Sequence, residues 1–342
     1  MFKGFKQQGF SLQYTALIVG SVLLLLFTLL FATASGSVEL SIAQVFDALF
    51  CTGNCSNSEI EQKIIIDIRL PRILMAMITG AGLAITGAIL QSITRNPLAD
   101  PYLFGISSGS ALGAVIVMAS ISTAAISLTL GALVGGAFSV ALMLALAGRS
   151  AANIERLILA GVAVSFMLSA FTSLVLYYSK PEVAATLLFW MMGSFANSQW
   201  SELSLPAVTV VLGLMLFVFF RRWLAAVQAG EESALTLGIP VAKLRLFILI
   251  ICSAITAVLV AHVGGIGFVG LMIPHISRFI VGAQIHRILT MCVLLGATFM
   301  IWVDVIARSL LQHQVLPVGI VTSAVGSLFF FIILRSRSQK DI

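Results

Sequence analysis

Apolar runs of membrane length recur along the whole chain, separated by short polar breaks. The first covers residues 12–34, and others follow at about 73–92, 104–121, 125–147, 157–178, 203–220, 246–263, 266–282, 288–308 and 317–334. A helix needs about 20 apolar residues to cross the hydrocarbon core of a bilayer. The pattern therefore predicts an all-α polytopic membrane protein, with about ten transmembrane helices in a single domain, residues 1–342. The tripeptide Ala32-Thr33-Ala34 resembles a signal-peptide cleavage site. The run before it is longer than the 7–15 residues of a signal core, so a retained span is the better reading.

The breaks carry as much information as the runs. Arg69, Pro71 and Arg72 precede the second run, which ends in the polar stretch Gln91 to Asp100 with Asn96-Pro97 and Asp100-Pro101. Gly105, Gly109 and Gly113 then recur every fourth residue, a spacing that puts all three on one helix face where a neighbouring backbone can approach. Gly161, Ser165, Ser169 and Thr172 repeat this small-residue spacing, as do Gly319, Ser323, Gly326 and Ser327. Taken alone, such stripes are tight helix contacts. The longest loop, about 221–245, interleaves Ala234, Leu235, Leu237 and Ile239 with acids; Gly238 and Pro240 interrupt it, which predicts two short helices joined at Gly238. Val38 to Phe50 is weakly amphipathic and suits the membrane surface, and Trp190 and Trp200 suit interfacial anchoring.

Composition agrees: 60% of the 342 residues are hydrophobic and 9% are charged, with a mean hydropathy of +1.11. Soluble domains carry about 25% charged residues, so that class is excluded. The net charge of +6 reflects basic residues collecting in cytoplasmic loops and not a nucleic-acid partner. With both termini inside, only Lys63, Arg69, Arg72, Lys180 and Arg308 of the 19 lysines and arginines fall outside. Arg69, Arg72 and Arg308 lie at the outer span ends, where snorkelling to headgroups is one account. Asp304 and Arg308, four apart, can pair on one helix face, and His262, His275 and Arg278 are further polar groups within apolar runs. Cys252 and Cys292 sit in apolar runs as inert core residues. Cys51 and Cys55 form a close pair in a polar loop, which suits a small disulfide in an oxidising compartment better than a metal site, as no histidine is near. No metal or cofactor motif stands out. The chain has no Gly-Lys dipeptide, hence no Walker A loop, so energy must come from a partner or an ion gradient.

Several motifs, in one order across nearly the whole chain, resemble FecCD/BtuC-type permease subunits of binding-protein-dependent ABC importers for iron–siderophores, haem and cobalamin. They are Arg69-Leu70-Pro71-Arg72, Asn96-Pro97-Leu98-Ala99-Asp100-Pro101, Gly105 to Gly109, Trp190-Met191-Met192-Gly193, Gly265 to Leu271, Pro274-His275 and Leu316-Pro317-Val318-Gly319. The resemblance implies the type II ABC importer permease fold in a bacterial inner membrane. It also implies two ABC ATPase subunits that bind the ATP and Mg, a periplasmic substrate-binding protein and a second permease copy or paralogue. It assigns Arg69, Arg72 and Arg308 to docking of the binding protein, and Glu231, Ala234, Leu235, Leu237 and Gly238 to ATPase coupling. Asn96, Pro97 and Leu98 fall at the cytoplasmic gate, with Asn153 to Glu155 as its second layer. Ser165, Ser169, Thr172, Ser323 and Ser327 line the pathway at the dimer interface, and a short helix near Trp190 stands at the outer mouth. Iron–siderophore or haem is the expected cargo, cobalamin the alternative. An autonomous secondary transporter would need inverted repeats and midplane carboxylates, for which only Asp304 is available, and an intramembrane protease would need a nucleophile–base pair.

Overall fold

The computed structural model describes every residue except 1, 37, 39, 51–58, 121–124, 149–153, 312–313 and 339–342. The chain runs through α1 (Phe2–Ala34), α2 (Ile42–Phe50) and α3 (Glu59–Lys63); a π-helical turn, Ile64–Arg69, leads straight into α4 (Leu70–Thr94). There follow α5 (Ile106–Ser120), α6 (Ala125–Ala147), α7 (Ile154–Tyr178), α8 (Pro181–Met191) and α9 (Trp200–Phe219). Then come α10 (Arg221–Ala229), α11 (Glu231–Thr236), α12 (Val241–Val263), α13 (Val269–Val281), α14 (Ile285–Ser309) and α15 (Val318–Ser338). No described residue lies in a strand. Among the described residues seven helices are long and apolar enough to cross a membrane, while the expected spans at 104–121, 266–282 and 317–334 fall on shorter apolar helices. Cys51 and Cys55 lie outside the described residues, as does Asn153.

Helix α4 is the hub. Its most apolar stretch is 83% buried, against 11% for α1, because glycines let two other helices reach its backbone. A methyl group at Gly80 would overlap the Gly296 carbonyl of α14, and one at Gly87 would overlap the Gly270 carbonyl of α13. Two of the three glycines expected on one face of α5 work so, while Gly105 precedes the helix in a left-handed conformation (φ +76°). Gly109 and Gly113 face the carbonyls of Gly135 and Gly131 on α6, at a separation that leaves no room for a side chain. Helix α1 packs on α14 through Phe31 stacked on Trp302, with ring centroids 5.2 Å apart, and a hydrogen bond from Trp302 Nε1 to Thr28 Oγ1 of 3.1 Å.

Three chain reversals meet at one glycine junction. The turn after α8, the break between α12 and α13 and the entry to α15 exchange backbone hydrogen bonds. Ser194 N donates to Val263 O (2.9 Å), Val318 N to Gly193 O (3.0 Å) and Gly319 N to Met192 O (2.9 Å). Tyr102 Oη accepts from Ile266 N at 2.9 Å. Irregular backbone inside a membrane protein is tolerated where its polar groups are satisfied by protein, and this junction does so. Gly193 and Gly264 hold left-handed conformations (φ +79° and +76°), and a side chain on Gly264 would strike the Trp190 carbonyl.

Candidate transport site and its two ends

At the end that the charge bias turns outward, three arginines converge on one carboxylate and one helix terminus. Arg72 Nε and Nη2 each lie 2.8 Å from Asp304 Oδ1, and Arg308 Nε lies 3.5 Å from Asp304 Oδ2, four residues along α14. Asp304 is fully buried. Arg69 donates to the carbonyls of Thr33 (2.6 Å) and Ala34 (2.8 Å) and to that of Val38, and Arg308 donates to Ala32 O. The last carbonyls of a helix lack intrahelical donors and carry the negative end of its dipole; the two arginines supply what α1 lacks. Gly36 makes space, since a Cβ there would sit 2.6 Å from Arg69 Nη2. The expected docking arginines are therefore inside the subunit, with Arg69 5% exposed and the Arg72 and Arg308 side chains 12% and 8% exposed. An incoming carboxylate would have to displace Asp304 or the α1 carbonyls to reach them.

At the opposite end, α10 and α11 form the expected pair of short helices, with a correction to the joint. They meet at Gly230, whose φ of +154° suits glycine, while Gly238 (φ +76°) ends α11 ahead of α12. Of the expected coupling residues, Leu235 and Leu237 are exposed, 55% and 72%, and Gly238 is exposed beside them. Ala234 is buried under α11, and Glu231 pairs with Arg245 of α12 at 3.1 Å. Two of the five thus hold the helix pair against the bundle and leave the leucines to project.

The Asn96–Leu98 turn is closed locally: Asn96 Oδ1 accepts from Leu98 N at 2.9 Å, which holds the Leu98 side chain 60% exposed, with Pro97 exposed beside it. The two small-residue stripes separate. In α7, Ser169 Oγ donates to Ser108 Oγ of α5 at 3.1 Å, and Ser165 lies against Gly105. Thr172 is buried and bonds the Leu168 carbonyl of its own helix. This stripe packs on α5, so Thr172 is not a lining group in the isolated subunit, a correction that follows from the helix-contact meaning of small residues. In α15, Ser323 and Ser327 are exposed, on a face that the chain's own helices leave open.

Comparison with known proteins places this arrangement of helices. The model of the FecCD transport family matches residues 24–336. The chain belongs to the FecCD transport family. It is 37% identical to the cobalamin import system permease protein BtuC of Halobacterium salinarum, over 83% of this chain and 76% of the relative. It is 34% identical to the hemin transport system permease protein HmuU of Yersinia pestis, over 95% and 97%. A solved ABC transporter, assigned to the metal-chelate type and in an inward-facing conformation, aligns with a TM-score of 0.84 at 33% identity, covering 94% of this chain and 99% of that one.

For a FecCD permease, the scattered motifs now have a spatial meaning. Trp190 to Gly193, Gly264 to Ile266 and Leu316 to Gly319 are the three arms of the glycine junction, a convergence that sequence order hides. The structure adds Asp304 as the counter-ion of two arginines and Arg245 as the anchor of α11. Only the i, i+4 spacing of Asp304 and Arg308 signalled the first; nothing local signalled the second. Gly105-Ile106-Ser107-Ser108-Gly109 also has the spacing of a hydrolase nucleophile elbow. That motif works on a strand–turn–helix, and here a 3₁₀ turn, Pro101–Phe104, precedes α5. Ser107, the serine of that spacing, lies instead against Gly265 of the glycine junction.

Proposed function

We propose that this chain is the membrane-spanning subunit of an importer that carries an iron–siderophore or haem, with cobalamin the second choice, from a periplasmic binding protein to the cytoplasm. Two copies, or this chain and a paralogue, enclose the pathway, with the open α15 face carrying Ser323 and Ser327 turned toward it. Both termini and the α10–α11 pair are cytoplasmic. Two ATPase subunits grip that pair and supply the energy, and the movement of α10 and α11 is passed to the Asn96–Leu98 turn at the inner gate.

The observation that carries this reading is the exposed Leu235–Leu237 knob on a helix pair that Glu231, Ala234 and Arg245 fix to the bundle. A solvated loop has no need of two projecting leucines, whereas a socket on a partner buries them with a gain of about 1.5–3 kcal/mol each. Against ion coupling, Asp304, the carboxylate such a mechanism would use, already faces two arginines. The test is a mild-detergent pull-down of the tagged full-length chain, with mass spectrometry of what accompanies it. A P-loop ATPase in equal stoichiometry is expected, lost when Leu235 and Leu237 are both changed to aspartate. Recovery of the permease alone in several detergents would overturn the reading, and an unchanged yield of ATPase with the double variant would move the contact elsewhere.

A further inference from the structure

A cavity of about 320 Å³ opens where the end of α4, coupling helix α10 and α13 meet, lined by Gln91, Ser92, Arg95, Pro97, Gln228 and Arg278. Two arginines 183 positions apart in sequence face it, and no acid is among its walls. Among the described residues neither forms an ion pair. Other arginines of this chain are provided for: Arg245 has Glu231, and Arg287 lies over the Tyr14 ring, 4.8 Å from its centroid. Arg278 is half-buried, so its charge is only partly hydrated. Arg95 stands at the C-cap of α4 with φ +52°, a left-handed position that glycine usually fills and that costs an arginine about 1–2 kcal/mol. That local strain places a guanidinium at the mouth of the cavity. At its base Gln91 Nε2 donates to Gly270 O at 2.9 Å, which fixes the amide and leaves Oε1 buried without a partner.

We propose that this cavity is a binding site for a phosphate-type oxyanion, held by Arg95 and Arg278, that ties coupling helix α10 to the gate turn. Guanidinium–phosphate pairs are short, charge-assisted and often bidentate, and two like charges around a concave wall concentrate positive potential on it. A phosphate that also carries a hydroxyl, whether free monohydrogen phosphate or a glycerol headgroup, offers a donor to Gln91 as well as oxygens to the arginines. Gln228 brings α10 into the same shell, and Pro97 brings the gate turn. The site stands independently of which cargo the permease carries.

The test uses the full-length chain as it purifies in detergent, followed by its apparent unfolding midpoint at constant ionic strength. Inorganic phosphate in place of chloride is expected to raise the midpoint saturably, by roughly 2–4 °C, the shift that about 1 kcal/mol of ligand stabilisation gives a large domain. Short-chain phosphatidylglycerol is compared with phosphatidylcholine of the same chain length. A response to phosphate and none to phosphatidylglycerol identifies a soluble anion; a response to phosphatidylglycerol alone identifies a lipid headgroup; either supports the site. Arg95→Gln and Arg278→Gln should each abolish the response while keeping the starting midpoint within about 1 °C. No response to either probe, or the same response in both variants, overturns the proposal. Loss of ATPase co-purification in the variants without any phosphate response overturns it too, and assigns the cavity to an acidic side chain of that partner.

Discussion

The two ends of the bundle treat arginine in opposite ways. At the Arg72 end, three guanidiniums are buried, and each is matched by an acceptor of the same subunit: Asp304 for Arg72 and Arg308, the last carbonyls of α1 for Arg69 and Arg308. At the α10 end, Arg95 and Arg278 face a shared cavity with no carboxylate in its wall. Buried charge persists where it is paired, so the first cluster is part of what makes the fold. The second is closer to water, with Arg95 exposed and Arg278 half-buried, and has capacity left for something outside the chain. The same residue type thus signals architecture at one end and recognition at the other, and the neighbours, not the charge, decide which.

The largest effect should come from removing the one acid at the Arg72 cluster. Asp304→Asn leaves Arg72 and Arg308 facing each other without a counter-ion inside the protein. Breaking a buried pair on one side costs on the order of 3–5 kcal/mol, so the variant should unfold far earlier than the wild type or fail to accumulate in membranes. Adding Arg72→Met to Asp304→Asn should restore a large part of the loss by removing one orphaned charge. If the double variant is as unstable as the single, the pairing is not what Asp304 provides.

A smaller effect belongs to Arg69. With methionine in its place the Thr33 carbonyl loses its donor, while the Ala34 carbonyl keeps the bond from Leu40 N at 3.4 Å, and a buried unsatisfied group costs about 1–3 kcal/mol. The damage should stay local: backbone amides around residues 31–36 should exchange faster with solvent, while those of α4 keep their protection. Uniformly faster exchange throughout the bundle would mean that Arg69 holds more than the end of α1.

How far the chain could be read without coordinates follows the same division. The positions of the apolar helices were legible because hydrophobic run length is a local property, and the Gly109–Gly113 face was legible because close helix approach demands glycine at a fixed period, whereas Gly105 caps the turn before α5. The helix joint was misplaced from Gly230 to Gly238, since both glycines fit a break and only packing, here Ala234 and Ile239 beneath α11 and its exit, selects between them. In the α7 stripe Thr172 is buried while Ser169 stays exposed beside α5, because spacing alone cannot name the partner of each position on a face. Nothing local could show that Trp190–Gly193, Gly264–Ile266 and Val318–Gly319 share one set of hydrogen bonds, or that Arg72 lies 232 positions from its acid. Contacts between distant segments are created by the fold, and the chain pattern records only that each segment is unusual.

The smallest predicted change sharpens the contrast most. Arg278→Gln, in chloride buffer without phosphate, should alter stability by no more than about 0.5 kcal/mol, the range of surface substitutions away from packed features. Its sign should depend on salt. At low ionic strength the variant should be slightly more stable than the wild type, since it removes the repulsion between Arg278 and Arg95 around one cavity. Near 0.15 M salt, where charges beyond about 8 Å are screened, the difference should shrink towards zero. Measured side by side, Asp304→Asn should keep its penalty at all salt concentrations, because a buried charge is screened far less than one that faces a solvent-filled cavity. A large, salt-independent loss from Arg278→Gln would place that arginine with the Arg72–Asp304 cluster, as a structural group with an internal acceptor, and would erase the difference between the two ends.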